Sequence, residues 1–167
     1  LDTTTDLEVA LKLFHHPTPD ELARRRFRRE FHVVSRLRHS RLVHPGDWGL
    51  LDNHPYLVSG YVKGARLTKE MASDRGGTVQ VTRFMCSVLL QICDALGPIH
   101  ERGLVHLNLK PSNLLCCQSE VGGDPDVRVL DYGMSRLVLA AGGQASADRT
   151  AAEAVRYMSP EAVKGAW

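Results

Sequence analysis

His106-Leu107-Asn108-Leu109-Lys110-Pro111-Ser112-Asn113 is the stretch that decides the fold of this chain. On its N-terminal side Phe84, Val88, Ile92 and Leu96 recur at helical spacing, which predicts a long helix from about 81 to 102, stopped by Gly103. On its C-terminal side the apolar runs Leu114 to Cys117 and Val127 to Leu130 predict two paired short strands around a loop containing Gly, Asp and Pro. The eight residues thus form a polar loop between a helix and a hairpin.

Further out, Glu8 to Phe14 alternates polar and apolar positions until His15-His16-Pro17 ends it, the pattern of a strand with Lys12 on one face. A helix follows, with Thr18 as N-cap, Pro19 in the first turn and Glu21 as the return partner of a capping box. Phe27, Phe31, Val34 and Leu37 form its apolar stripe, with Glu30 beside it. Strands at about 47–51 and 56–61 flank a turn at Asp52-Asn53-His54-Pro55. A short helix is predicted near 67–72, and 131–161 reads mostly as loop.

Four further segments stand in a telling order around the loop. They are Val9-Ala10-Leu11-Lys12, Glu30 within its helix, Asp131-Tyr132-Gly133 and Ser159-Pro160-Glu161. With His106 to Asn113 they resemble the signature set of protein kinases, V-A-I-K, the helix glutamate, H-R-D-L-x-x-x-N, D-F-G and A-P-E. Each is weak alone, but their ordered coincidence is strong and covers essentially the whole chain.

The resemblance implies an α+β, two-lobed protein-kinase fold, truncated at both ends, with a partial N-lobe over 1–63 and a partial C-lobe over 64–167. It also implies ATP and Mg2+ as cofactors. Lys12 would contact the phosphates, Glu30 would orient Lys12, Asp131 would bind magnesium and Asn113 a second ion. Residues 55–64 resemble the fifth strand and hinge. By that match Ser59 is the gatekeeper, the Gly60 and Val62 backbones face the adenine edge, and Ala10 and Leu115 sandwich the ring. Lys110 resembles the Ser/Thr-specific form of the loop, so the implied substrate is protein Ser or Thr. The style of the motifs is similar to that of bacterial Hanks-type kinases.

The departures concern catalysis. Asn108 stands where the family has its catalytic Asp, and an amide cannot take a proton although its oxygen can still orient a hydroxyl. Leu107 replaces an Arg that pairs with a phosphorylated activation loop in many members. Ala154 removes the Thr hydroxyl of the family's Gly-Thr-x-x-Tyr, and Tyr132 replaces Phe. Thr150 and Ser146 are loop hydroxyls open to phosphorylation. The expected function is therefore a Ser/Thr kinase-like domain of a signalling protein with weak or lost phosphotransfer. An active kinase tolerating Asn108 and a scaffold that binds no nucleotide are the alternatives.

Composition sets the outer limits. A 43% hydrophobic and 24% charged chain of 167 residues is that of a globular protein. No apolar run approaches the roughly 18 residues of a membrane span, and the start lacks a signal peptide. A formal charge of +2 is too small to argue for nucleic acid. The basic run Arg24-Arg25-Arg26-Phe27-Arg28-Arg29 reads first as a solvated helix face, and second as a docking or phosphate-binding surface. The four cysteines lack zinc-ligand spacing, so reduced thiols in a cytoplasmic protein are expected. No G-x-G-x-x-G precedes Lys12, so exposed apolar surface and low stability are expected of these residues alone.

Overall fold

The computed structural model describes residues 2–18, 20–71, 77–118, 125–141 and 156–163. Strand β1 (Val9–Leu13) pairs antiparallel with β3 (His54–Gly60), which pairs on its other edge with β2 (Pro45–Leu51), giving the order β1-β3-β2. The β2–β3 hairpin closes on two residues, Asp52 and Asn53, both at positive φ (48° and 66°), with Leu51 opposite His54. Such a turn matches the strand twist and suits Asp and Asn, which tolerate the left-handed region. The turn is two residues tighter than the sequence suggests.

Helix α1 (Glu21–Val34) packs on this sheet. Its N-cap is Asp20, not Thr18: Asp20 Oδ1 accepts from Ala23 N at 2.7 Å, while buried Thr18 donates its hydroxyl to the Asn53 carbonyl at 3.2 Å. Both residues are good caps, and the tertiary bond to the hairpin takes Thr18 away from the helix. Ala23, Phe27, Phe31 and Val34 form the buried face. Phe27 meets Phe14 edge-on at 5.4 Å and tilts against Trp48 at 5.2 Å. Such pairs add about 0.5–1.5 kcal/mol each beyond burial.

The second half is built around α3 (Thr78–His100) and a sheet of order β4-β5-β6, comprising β4 (Ala65–Arg66), β5 (Leu114–Cys117) and β6 (Asp126–Val129). The pairing of β5 with β6 agrees with the sequence pattern, with Leu114 opposite Val129. Short α2 (Leu67–Met71) follows β4 directly. By length and composition alone α3 is apolar enough to cross a membrane, which the sequence reading missed. Phe84, Val88, Ile92, Ala95 and Ile99 of its inner face are buried in one cluster with Leu114, Val127, Val129 and Tyr132.

Polar bonds lock α3 to β6. Gln91 Oε1 accepts from Arg41 Nη1 at 2.6 Å and from Val127 N at 2.9 Å, and the same guanidinium pairs with Asp126. Backbone bonds from Val43 N to the Val129 carbonyl and from Val129 N to the Arg41 carbonyl bring the segment after α1 onto β6.

Among the described residues of 131–161, which are 131–141 and 156–161, helix stands where the sequence suggests loop. Met134–Ala140 forms α4, whose Met134, Leu137 and Ala141 enter a core cluster with Phe14, Phe27, Phe31 and Leu57. Pro160–Val163 forms a single turn, α5. Several apolar side chains face solvent, Leu11 at 63% and Leu90 at 72% exposure among them.

Candidate functional site

The site lies where β1, the 106–113 loop and the turn after β6 converge. Lys12 stands opposite Leu57 on β1, and its Nζ donates to Asp131 Oδ2 at 2.6 Å. The two side chains are 50% and 25% exposed, so solvent screens the pair and it stabilises the fold little. Its value is positional: it fixes a cation and a carboxylate in one place.

His106 holds the loop against the strand that leads into Asp131. Its Nε2 lies 3.0 Å from the Leu130 carbonyl and so carries the proton that it donates there, and Nδ1 accepts from Asn108 N at 3.3 Å. The ring is therefore neutral, and burial pushes its pKa below the usual histidine range, outweighing the opposing pull of the Leu130 carbonyl and Asp131. Leu130 N in turn donates to the Asn113 carbonyl at 2.9 Å. Both main-chain polar groups of Leu130 are thus spent on the loop, which sets Asn113 and Asp131 side by side.

The depressed pKa has a pH signature. Below about pH 6.5 the unfolded chain takes up a proton at residue 106 that the folded chain refuses, so stability is full above that value and is lost as pH falls below it. Urea midpoints measured between pH 7.5 and 5 should decline, and His106→Gln should flatten that decline. His44, lowered by burial and by Arg38, acts in the same direction, so the slope shrinks without vanishing. An unchanged slope in the variant would show that the fold does not shift the His106 pKa.

Asn113 is buried, and its Nδ2 donates to the Asn108 carbonyl at 2.8 Å. Its Oδ1 is then the atom able to face a cation. Lys110 is buried and Asn108 half-buried. Leu107 and Asp131 both adopt left-handed backbone, φ 62° and 61°. Non-glycine residues in that region cost about 1–3 kcal/mol and cluster at functional sites, and here one lies in each of two adjoining segments.

Glu30 does not hold Lys12. It accepts from Arg136 Nε at 2.8 Å, on α4, while Lys12 is occupied by Asp131. The physical reason is α4 itself, whose Met134 and Leu137 pack against Phe27 and Phe31 of α1 and so carry Arg136 to Glu30. Arg136 is the residue that the sequence reading missed. The signal was Met134, Leu137, Val138 and Ala141, apolar at helical spacing, within a stretch whose Ala and Gly content suggests a loop.

Of the adenine candidates, Ala10 pairs with Ser59 and Val9 with Gly60 in the first sheet, while Leu115 lies on the second, opposite Arg66 and Arg128. Ser59, Val62 and Leu115 are half-buried, whereas Ala10 and Gly60 are exposed. A Cβ on Gly60 would meet nothing within 4 Å, so this edge is open. Tyr132 is buried, and no hydroxyl partner is present among the described residues, an arrangement that costs about 1–3 kcal/mol. Burial accordingly pushes its pKa well above the usual range. Ala154, Thr150 and Ser146 lie outside the described residues.

A helix and a three-stranded sheet on one side, a helical half on the other, and Lys12, Asp131 and Asn113 where they meet define the class. The chain belongs to the protein kinase domain family, whose model matches residues 1–166. Similar proteins within it include bacterial Ser/Thr kinases. The probable serine/threonine-protein kinase PknB of Corynebacterium glutamicum is 31% identical over 98% of this chain and 25% of its own length. The serine/threonine-protein kinase PknL of Mycobacterium tuberculosis is 34% identical over 98% of this chain and 39% of its own. The crystal structure of the Mycobacterium tuberculosis PknI kinase domain superposes with a TM-score of 0.59 at 28% identity, covering 86% of this chain and 59% of that one. The chain thus spans well under half the length of these curated relatives.

Proposed function

We propose that this chain is the phosphate-handling part of a Ser/Thr protein kinase-like domain that binds Mg-ATP, with phosphotransfer to protein Ser or Thr weak or lost. The observation that carries the reading is Asn108: its backbone is built into the site by Asn113 and His106, yet its side chain is an amide. The chain belongs to a family that generally uses ATP and Mg2+, and the donor set fits them. Among the described residues no group of three or more His, Cys, Asp or Glu could hold a metal ion by itself. One carboxylate, Asp131, beside one amide oxygen, Asn113 Oδ1, is what a magnesium ion sharing its coordination with phosphates needs.

Bound Mg-ATP would supply neutralised phosphates and a transferable phosphoryl group. Lys12 would give up Asp131 and turn its ammonium to the phosphates, leaving the Asp131 carboxylate to the metal. Asn108 Oδ1 can accept from a Ser or Thr hydroxyl and so orient it, but it cannot carry the proton away.

One observation favours the scaffold alternative. Asp131 is satisfied by Lys12 and Glu30 by Arg136, so both acids have partners without any nucleotide. The melting temperature with and without Mg-ATP separates the two readings. At about one hundred times the dissociation constant the nucleotide should add about 2.7 kcal/mol of stability, and Lys12→Ala should remove most of the shift. Equal melting at millimolar Mg-ATP would favour the scaffold.

A further inference from the structure

The arginines of α1 do more than solvate a helix face. Arg25, Arg28, Arg29, His32, Val33 and Arg36, with Arg102 just beyond α3, line one groove of about 670 Å3. Arg25, Arg28, Arg29, His32 and Val33 fall on one stripe of α1, where like charges three and four residues apart oppose the helix. Relief inside the protein is slight. Arg25 meets Glu21 at 3.4 Å, and Arg102 donates to the Pro98 carbonyl at 3.0 Å. Among the described residues Arg28, Arg29 and Arg36 have no carboxylate partner. Five arginines thus share one concave surface that no acidic residue lines.

We propose that this groove docks a phosphorylated Ser- or Thr-containing segment of a partner protein. Every permanent charge lining it is Arg and none is Lys. Guanidinium forks match phosphate oxygens in pairs, and Arg clusters are a recurring solution for phosphopeptide recognition. A dianionic phosphate offsets more of the mutual repulsion than a single carboxylate does. Val33, 38% exposed among the arginines, offers an apolar contact to a neighbouring peptide side chain. The concave shape and the small net charge favour a short peptide over a nucleic acid or a membrane, which engage extended basic surfaces. The inference is independent of whether this chain transfers phosphate, because none of these residues belongs to the Lys12–Asp131 site.

Fluorescence anisotropy on the intact protein tests it. The probe is a labelled peptide with two phosphoserines among Asp and Glu, set against its unphosphorylated form, a single-stranded RNA and phosphatidylserine vesicles. The phosphopeptide should bind at least about tenfold more tightly than its unphosphorylated form, and salt should weaken it. R28A/R29A should lose at least about tenfold in affinity while melting like the parent, and R26A, outside the groove, should bind like the parent. Equal binding of the two peptides, or full binding by R28A/R29A, would overturn the proposal. So would RNA or vesicles that displace the phosphopeptide at lower concentration.

Discussion

Gly133→Ala should lower the melting temperature by about 4–20 °C. Gly133 has φ 72° and ψ 0°, the left-handed region, where a side chain costs about 1–2 kcal/mol. A Cβ there would also lie 2.5 Å from Val34 Cγ2 and 3.2 Å from Cγ1. Val34 is 1% exposed at the end of α1 and has nowhere to retreat, so overpacking adds about 1–3 kcal/mol. The two costs separate experimentally. In a Val34→Ala background the clash is gone and the same substitution should cost only the backbone part, so a non-additive cycle is expected. Full additivity would mean that Gly133 and Val34 do not touch.

Asn108→Asp should raise phosphate transfer by about 10²- to 10⁴-fold, which corresponds to roughly 3–5.5 kcal/mol of barrier. The carboxylate restores a proton acceptor that the amide cannot replace. The substitution is nearly isosteric, and the contacts that fix residue 108 are main-chain ones, its carbonyl to Asn113 and its N–H to His106. The loop should therefore keep its shape. The gain rests on Lys12 and Glu30 reaching their working positions, and the Glu30–Arg136 pair opposes that for Glu30.

The elements that set this geometry were unevenly legible in the sequence. The stripe of α1, the β5–β6 hairpin and the convergence of Lys12 with Asp131 announce themselves through period, turn residues and motif order. What escaped is what tertiary contacts decide. Thr18 and Asp20 can both cap until the Asn53 carbonyl claims Thr18. Arg136 and Glu30 are 106 residues apart, and nothing local says that an arginine after a glycine turn will meet a glutamate on α1. Helix α4 owes its existence to burial against Phe27 and Phe31, so a short Ala-rich window understates it. The loop's motif was readable in the sequence, while the pairing state of the charges around it was not.

The turnover number at saturating Mg-ATP, with a generic Ser/Thr peptide, for the natural sequence and for Asn108→Asp, tests most directly whether this site has kept its phosphate handling and lost its base. The expected result is a turnover number at least about a hundredfold higher in the Asp form, with KM for ATP unchanged, because residue 108 acts on the hydroxyl and not on the nucleotide. Equal turnover in the two forms, at a rate ordinary for the family, would contradict it.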